Sequence, residues 1–90
     1  MTRIVVSPQA RADFRDIIAY LETRGGMAVA LRYAERFAAL YDQLSAYPAT
    51  GAVRPKLGVD IRIRTIQPYI VIYRYTADLV EIVRILRGSR

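Results

Sequence analysis

VDIRIRTIQPYIVIYRYTADLVEIVRIL, residues 59–86, is the most regular stretch of this 90-residue chain. From Val59 apolar and polar residues alternate, which is typical of a strand with one buried face. Residues 69–75 and 79–86 are rich in β-branched and aromatic residues, and the triplet at 76–78 separates them as a turn would. Both faces of 79–86 are largely apolar, so we expect this strand to be central. The stretch therefore predicts adjacent strands with helices on one side.

Two amphipathic helices are predicted upstream of these strands. The β-branched run 3–6 predicts a first strand, and Ser7-Pro8 suits a helix start because Ser can cap it and Pro fits its first turn. Apolar residues then recur at the helical period, at Phe14, Ile17, Ile18 and Leu21. Gly25-Gly26 interrupts this stripe, and a second stripe runs over 27–44 before Tyr47-Pro48 ends it. Residues 48–58 read as an irregular connection.

The element order is therefore β-α-α-β-β-β within a single domain, residues 1–90. The predicted fold class is α+β, with a helical hairpin packed on one face of a small antiparallel sheet. Ninety residues support only one modest hydrophobic core, and the apolar fraction of 53% is enough to build it.

Composition excludes several kinds of site. The chain has no His and no Cys, which rules out imidazole bases, Ser-His-Asp triads and thiolate zinc sites. We predict no metal, no cofactor and no catalytic residue, which favours a non-enzymatic protein over an enzyme. No apolar run approaches a membrane span, and the start of the chain turns polar at Ser7 before a signal-peptide core could form. We expect a cytoplasmic protein with no membrane partner.

Positive charge is concentrated in the second half of the chain. The formal net charge is +6, and residues 51–90 hold eight Arg or Lys against three acids. If Arg62 and Arg64 point away from the helices, their spacing of about 7 Å suits successive phosphates or carboxylates. The alternative is that these side chains only solvate an open sheet face. The predicted partner- or anion-binding residues are Arg62, Arg64, Arg74, Arg84, Arg87 and Arg90.

Tyrosines and acids allow two interpretations each. Tyr69, Tyr73 and Tyr75 share one strand face, where they could stack on bases or pack in the core, and packing is favoured for Tyr73. Asp13 and Asp16 lie one helical turn apart beside Arg residues, which is typical of a solvated face rather than of catalysis.

In their order along the chain, these features resemble the RelE/ParE superfamily of bacterial toxins. The resemblance rests on the strand ending in Ser7-Pro8, on YPATG at 47–51, on Ile61-Arg62 before YIVIY at 69–73, and on IVRILRGSR at 82–90. The last segment is similar to the closing signature of the ParE branch, with Arg87 where His is usual.

The resemblance implies a toxin neutralised by a cognate antitoxin protein in a hetero-oligomer. An antitoxin groove is expected from the residues Phe14, Ile18, Leu21, Tyr41, Tyr69 and Tyr73.

Two targets are compatible with the resemblance. ParE-like members resemble inhibitors of DNA gyrase that perform no chemistry, and we favour this reading because the chain has Arg without a general base. RelE-like members resemble ribosome-dependent mRNA endoribonucleases, in which Arg62, Arg64 and Arg84 would hold the phosphate and Tyr73 or Tyr75 would donate a proton. A third alternative, based on charge alone, is a basic nucleic-acid-binding module.

Overall fold

In the computed structural model, which describes residues 1–88, two helices pack on a five-stranded sheet. Single turns of 3₁₀ helix at Pro48–Thr50 and Pro55–Leu57 flank the shortest strand. The helices and strands are β1 (Arg3–Val6), α1 (Pro8–Gly25), α2 (Met27–Ala46), β2 (Ala52–Val53), β3 (Ile61–Ile66), β4 (Tyr69–Thr76) and β5 (Leu79–Arg87).

The α+β class and the predicted order of helices and main strands are confirmed, but the sheet is mixed rather than wholly antiparallel. Its strand order is β1-β5-β4-β3-β2. The β2–β3, β3–β4 and β4–β5 pairs are antiparallel, whereas β1 runs parallel to β5. A tight turn imposes antiparallel pairing, but β1 connects to the other strands through the helical hairpin, which leaves its direction free. Strand β5 lies between β1 and β4, which agrees with the interior position predicted from its two apolar faces.

The ends of both helices follow the local chemistry of the sequence. The Ser7 hydroxyl accepts a hydrogen bond from the Ala10 amide at 3.0 Å, which caps α1, and donates one to the Val83 carbonyl at 2.8 Å, which ties the cap to β5. The helix α1 ends at Gly26, whose φ of 87° lies in the region that glycine adopts without strain. The helix α2 ends before Tyr47-Pro48, as predicted.

The core lies between the helical hairpin and one face of the sheet. Phe37, Leu40 and Leu44 of α2 are buried with Tyr69, Val71, Tyr73, Val80, Ile82 and Ile85 of β4 and β5. Strand register places Arg62, Arg64 and Ile66 on this same face, because they pair with Tyr73, Val71 and Tyr69. Within residues 1–88, the helices cover only this face.

Candidate partner-binding surfaces

A long apolar groove follows the outer side of the helical hairpin from β1 to the start of α2. Two adjoining cavities form it and share Ala34. The larger, about 610 Å³, lies between β1 and α2. The smaller, about 210 Å³, lies between the two helices. The groove is lined chiefly by Ile4, Val6, Phe14, Ile18, Ala30, Leu31, Ala34, Phe37, Ala38 and Tyr41.

Small side chains and fixed aromatic rings shape this groove. Ala34 and Ala38 keep its floor low along α2, while Phe14 and Phe37 meet edge to face with ring centroids 5.5 Å apart. Burial raises the pKa of Tyr41 to about 12, so its hydroxyl stays neutral. Arg3 and Arg11 line the β1 end of the groove. The surface can therefore hold an apolar ligand that carries negative charge at the end bound near β1.

The structure places three of the six predicted groove residues in this groove: Phe14, Ile18 and Tyr41. Leu21 packs instead against the core from α1. Tyr69 and Tyr73 are 2% and 0% exposed. These two tyrosines therefore lie outside the groove, because their shared strand face is the one that the helices cover.

Tyr73 is a structural anchor for the connection between α2 and β3. Its hydroxyl donates to the Pro48 carbonyl at 2.7 Å and accepts from the Gly51 amide at 2.8 Å. The structure places Tyr73 in the hydrophobic core, as the sequence favoured. With both hydrogen-bonding roles used inside the protein, this hydroxyl is not placed to donate a proton to RNA.

Arg62 and Arg64 lie on the helix-covered face of β3, not on the open face that sequence analysis considered. Arg62 donates from Nη1 to the carbonyls of Ala49 and Gly51, at 3.1 and 3.0 Å. Arg64 donates to neutral side-chain oxygens, Thr50 Oγ1 and Gln43 Oε1, both at 2.8 Å. The apolar residues of β3 do not alternate cleanly in burial, so the pattern alone gave the wrong face. The two guanidinium groups are held in place, and none of these four hydrogen bonds neutralises their charge.

Arg84 forms a bidentate ion pair with Asp13 of α1. The distances are 2.7 Å from Nε to Oδ2 and 3.0 Å from Nη2 to Oδ1, and Asp13 also accepts the Ile85 amide at 2.9 Å. The Arg84 hydrogen bond is the main reason that the pKa of Asp13 lies below its ordinary value of 3.8. The pair therefore cancels the charge of Arg84, and Asp13 is not the solvated surface acid that sequence analysis expected.

This ion pair repairs an incomplete edge of β5. Strand β1 ends at Val6, opposite Ile82, and the chain then turns into α1. Beyond that point Ser7 bonds the Val83 carbonyl, and Asp13 bonds the Ile85 amide. The register shift between β4 and β5 lies beside the same residues. Two side chains thus replace the hydrogen bonds of a missing strand.

Comparison with known proteins identifies the family of this domain. Residues 4–90 match the family model described as the ParE toxin of the type II toxin-antitoxin system, parDE. The chain belongs to the ParE toxin family. The predicted resemblance to the ParE branch is confirmed.

One curated protein is similar to this ParE-type toxin in sequence, and one solved structure is similar to it in fold. Toxin ParE3 of Caulobacter vibrioides is 28% identical over 88 residues, which cover 98% of this chain and 88% of that protein. The fold matches a chain in the structure titled "Chromosomal ParDE TA system from P. aeruginosa", with a TM-score of 0.82 and 23% identity, over 99% of this chain and 98% of that one.

The remaining predicted cations of the ParE-type toxin are dispersed. Arg74 pairs with Glu81 at 3.3 Å, on the face opposite the helices. Arg87 lines a separate cavity of about 300 Å³ with Asp16, Tyr20 and Tyr69. Arg90 lies outside the described residues. The five predicted arginines within residues 1–88 therefore do not form one cluster on a single sheet face.

Two residues of the toxin that matter for these surfaces were missed by sequence analysis. Asp13 was assigned to a solvated face because its helix neighbours are charged, and nothing local indicated its contact with Arg84. Arg36 stacks on Tyr33, with its guanidinium carbon 5.0 Å from the ring centroid. Its position on a polar helix face, three residues after a tyrosine, was the only available signal.

Across the described part of the chain, no three acids, His or Cys come together as metal ligands would. Neither helix is long and apolar enough to cross a membrane.

Proposed function

We propose that this toxin inhibits DNA gyrase by binding to it, without chemistry of its own. We further propose that a cognate antitoxin neutralises it by occupying the groove along the helical hairpin. The observation that carries the proposal is a large partner-sized groove, together with two strand arginines, Arg62 and Arg64, that hydrogen-bond to carbonyl, hydroxyl and amide oxygens rather than to a carboxylate.

The groove supports a protein partner of amphipathic character. Met27 and Leu31 at its far end are 63% and 57% exposed, although both are apolar. Exposed apolar surface of this kind is typical of an interaction site. A partner helix whose apolar residues pack on Ala34 and Ala38 would bury this surface. Acidic residues at the end of that helix nearest β1 would then bind Arg3 and Arg11. The same fold occurs in the structure titled "Chromosomal ParDE TA system from P. aeruginosa".

The arrangement of the arginines favours gyrase inhibition over RNA cleavage. An endoribonuclease needs a group that takes or donates a proton beside the cations that hold the phosphate. Arg84 is already paired with Asp13, and the carboxylate is ionised and bidentate at neutral pH. The hydroxyl of Tyr73 is occupied at Pro48 and Gly51. Neither Arg84 nor the Tyr73 hydroxyl is therefore free to act in RNA cleavage, which supports a toxin that acts by binding.

A supercoiling assay tests the gyrase proposal. Purified toxin is titrated into gyrase, ATP and relaxed plasmid, and the supercoiled product is quantified. We expect inhibition that is reversed by the protein encoded in the adjacent reading frame. Undisturbed supercoiling at saturating toxin would overturn the gyrase proposal.

Calorimetric titration with the same adjacent protein tests the groove separately. Ala38→Arg adds bulk and like charge to the groove floor, and we expect it to weaken binding on the order of a hundredfold, about 2.7 kcal/mol. The matched control is Ala19→Arg on the exposed side of α1, which should bind normally. Equal affinity of both variants would place the antitoxin elsewhere.

A further inference from the structure

A further cavity, cationic rather than apolar, lies between α2 and β3 on the other side of the hairpin. Its volume is about 230 Å³, and it is lined by Arg36, Ala39, Leu40, Gln43, Arg64, Thr65 and Ile66. No acidic side chain of residues 1–88 is in this lining. We call it the β3-flank pocket.

Neighbouring groups fix the orientation of Arg64 in the β3-flank pocket. Its two terminal nitrogens donate to Thr50 and Gln43, both at 2.8 Å. A guanidinium group has five N–H donors, so two such bonds leave others for a ligand. Because both acceptors are neutral, the full positive charge remains at the pocket.

Arg36 is held by a different contact. Its guanidinium lies over the Tyr33 ring at 5.0 Å, and the Tyr33 hydroxyl is itself anchored to the Gln67 carbonyl at 3.2 Å. A cation–π contact uses none of the five N–H donors of a guanidinium group, which remain available for hydrogen bonds. Two oriented guanidinium groups thus line one small concave site.

One further arginine lies on the same strand face. Arg62 lies two residues before Arg64 on β3, and its guanidinium donates to the backbone carbonyls of Ala49 and Gly51, which leave its charge uncancelled. Three positive groups in this region match a polymer with repeated negative charges better than a ligand with a single carboxylate.

We propose that the β3-flank pocket binds a phosphodiester group of a nucleic-acid backbone. Arg36 and Arg64 donate from their N–H edges to the phosphate oxygens, the geometry in which Arg recognises phosphate. Arg62 contacts an adjacent phosphate. DNA and RNA carry the same chemical group, and the proposal needs neither gyrase nor antitoxin.

Fluorescence anisotropy tests this with the full chain, a short labelled DNA duplex and an RNA duplex of the same sequence, across a salt series. We expect binding to one or both that weakens steeply with salt. Arg36→Ala and Arg64→Gln should each reduce affinity about tenfold, the loss of one charge-assisted hydrogen bond. Each should also reduce the salt slope by about one.

The matched control is Arg24→Ala. Arg24 also stacks on a tyrosine, Tyr20, at 5.4 Å, but lies at the far end of α1. The Arg24→Ala variant removes the same charge outside the pocket, and it should change the affinity for nucleic acid less than twofold. Equal losses in Arg24→Ala and Arg36→Ala, no binding by the wild type, or equally tight binding of labelled poly-glutamate would each overturn the proposal. If Arg64→Gln unfolds, Arg36→Ala alone decides the comparison with Arg24→Ala.

Discussion

Arginine makes opposite kinds of contact at two places in the helix–sheet layer, the β5 edge and the β3 flank. At the β5 edge, Arg84 meets a carboxylate, and Asp13 binds both the guanidinium and the strand backbone. At the β3 flank, Arg64 meets a hydroxyl and an amide of the same chain. The first arrangement closes an unfinished sheet edge and cancels a charge. The second holds a charge in place without cancelling it.

This difference separates arginines that serve folding from those that can serve binding. A guanidinium that is ion-paired and bidentate must lose those bonds before it can bind a partner's anion. One that is oriented by neutral acceptors loses little on binding, because its position is already set. The residue type is the same on both flanks, so whether an arginine serves folding or binding depends on which groups of the chain hydrogen-bond to its guanidinium.

The largest expected effect is on the loop that supports the β3 flank. Gly51→Ala would place a Cβ 2.5 Å from the Tyr73 hydroxyl and 2.8 Å from the Ile63 carbonyl. Neither neighbour can retreat, because one is buried and the other is backbone. We expect a loss of about 3 kcal/mol in the free energy of unfolding, measured by urea denaturation. A variant as stable as wild type would show that the loop does not need this close approach.

The next effect is on the β5 edge. Asp13→Ala leaves the Ile85 amide without its acceptor, and we expect a loss of about 2 kcal/mol. Asp16→Ala, one turn further along α1 at an exposed position, should change stability by less than about 0.5 kcal/mol. Similar losses in the two variants would mean that the edge contact contributes nothing beyond helix surface charge.

A smaller effect is the pH dependence of that edge. The folded pKa of Asp13 lies below its ordinary value of 3.8, so the stability it contributes is present above about that pH and is lost as the pH falls through the folded pKa. Asp13→Asn should therefore be less stable than wild type near neutral pH, and the difference should shrink in acid below the ordinary value. A difference independent of pH would contradict the charged ion pair.

The smallest effect on stability should come from the β3 flank arginine itself. Arg64 donates only to exposed neutral groups, so Arg64→Gln should change the free energy of unfolding by less than about 0.5 kcal/mol. Thermal denaturation against Asp13→Ala gives the comparison directly. A large loss for Arg64→Gln would assign this residue to folding rather than to binding.

Periodicity and turn chemistry were sufficient for most of the fold. Ser7-Pro8, Gly26 and Tyr47-Pro48 mark helix ends through local backbone chemistry, which depends only on neighbouring residues. The parallel direction of β1 could not be obtained this way, because the helical hairpin that precedes the other strands sets no direction.

The candidate site was less accessible from sequence, since its contacts join distant residues. Asp13 and Arg84 are 71 positions apart, and neither has a local pattern that indicates the other. Tyr69 and Tyr73 were correctly placed on one strand face, but the burial of that face depends on where the hairpin packs. Arg64 was recognised as an anion-binding candidate, while its pocket partner Arg36 was hidden on an ordinary polar helix face.

An assay of mRNA cleavage most directly tests the central claim, that this toxin acts by binding its partners rather than by catalysis. Translating ribosomes carrying a labelled mRNA are incubated with toxin at far below the ribosome concentration, and cleavage is followed over time. We predict intact mRNA throughout. Cleavage of many mRNA molecules per toxin molecule would contradict the account.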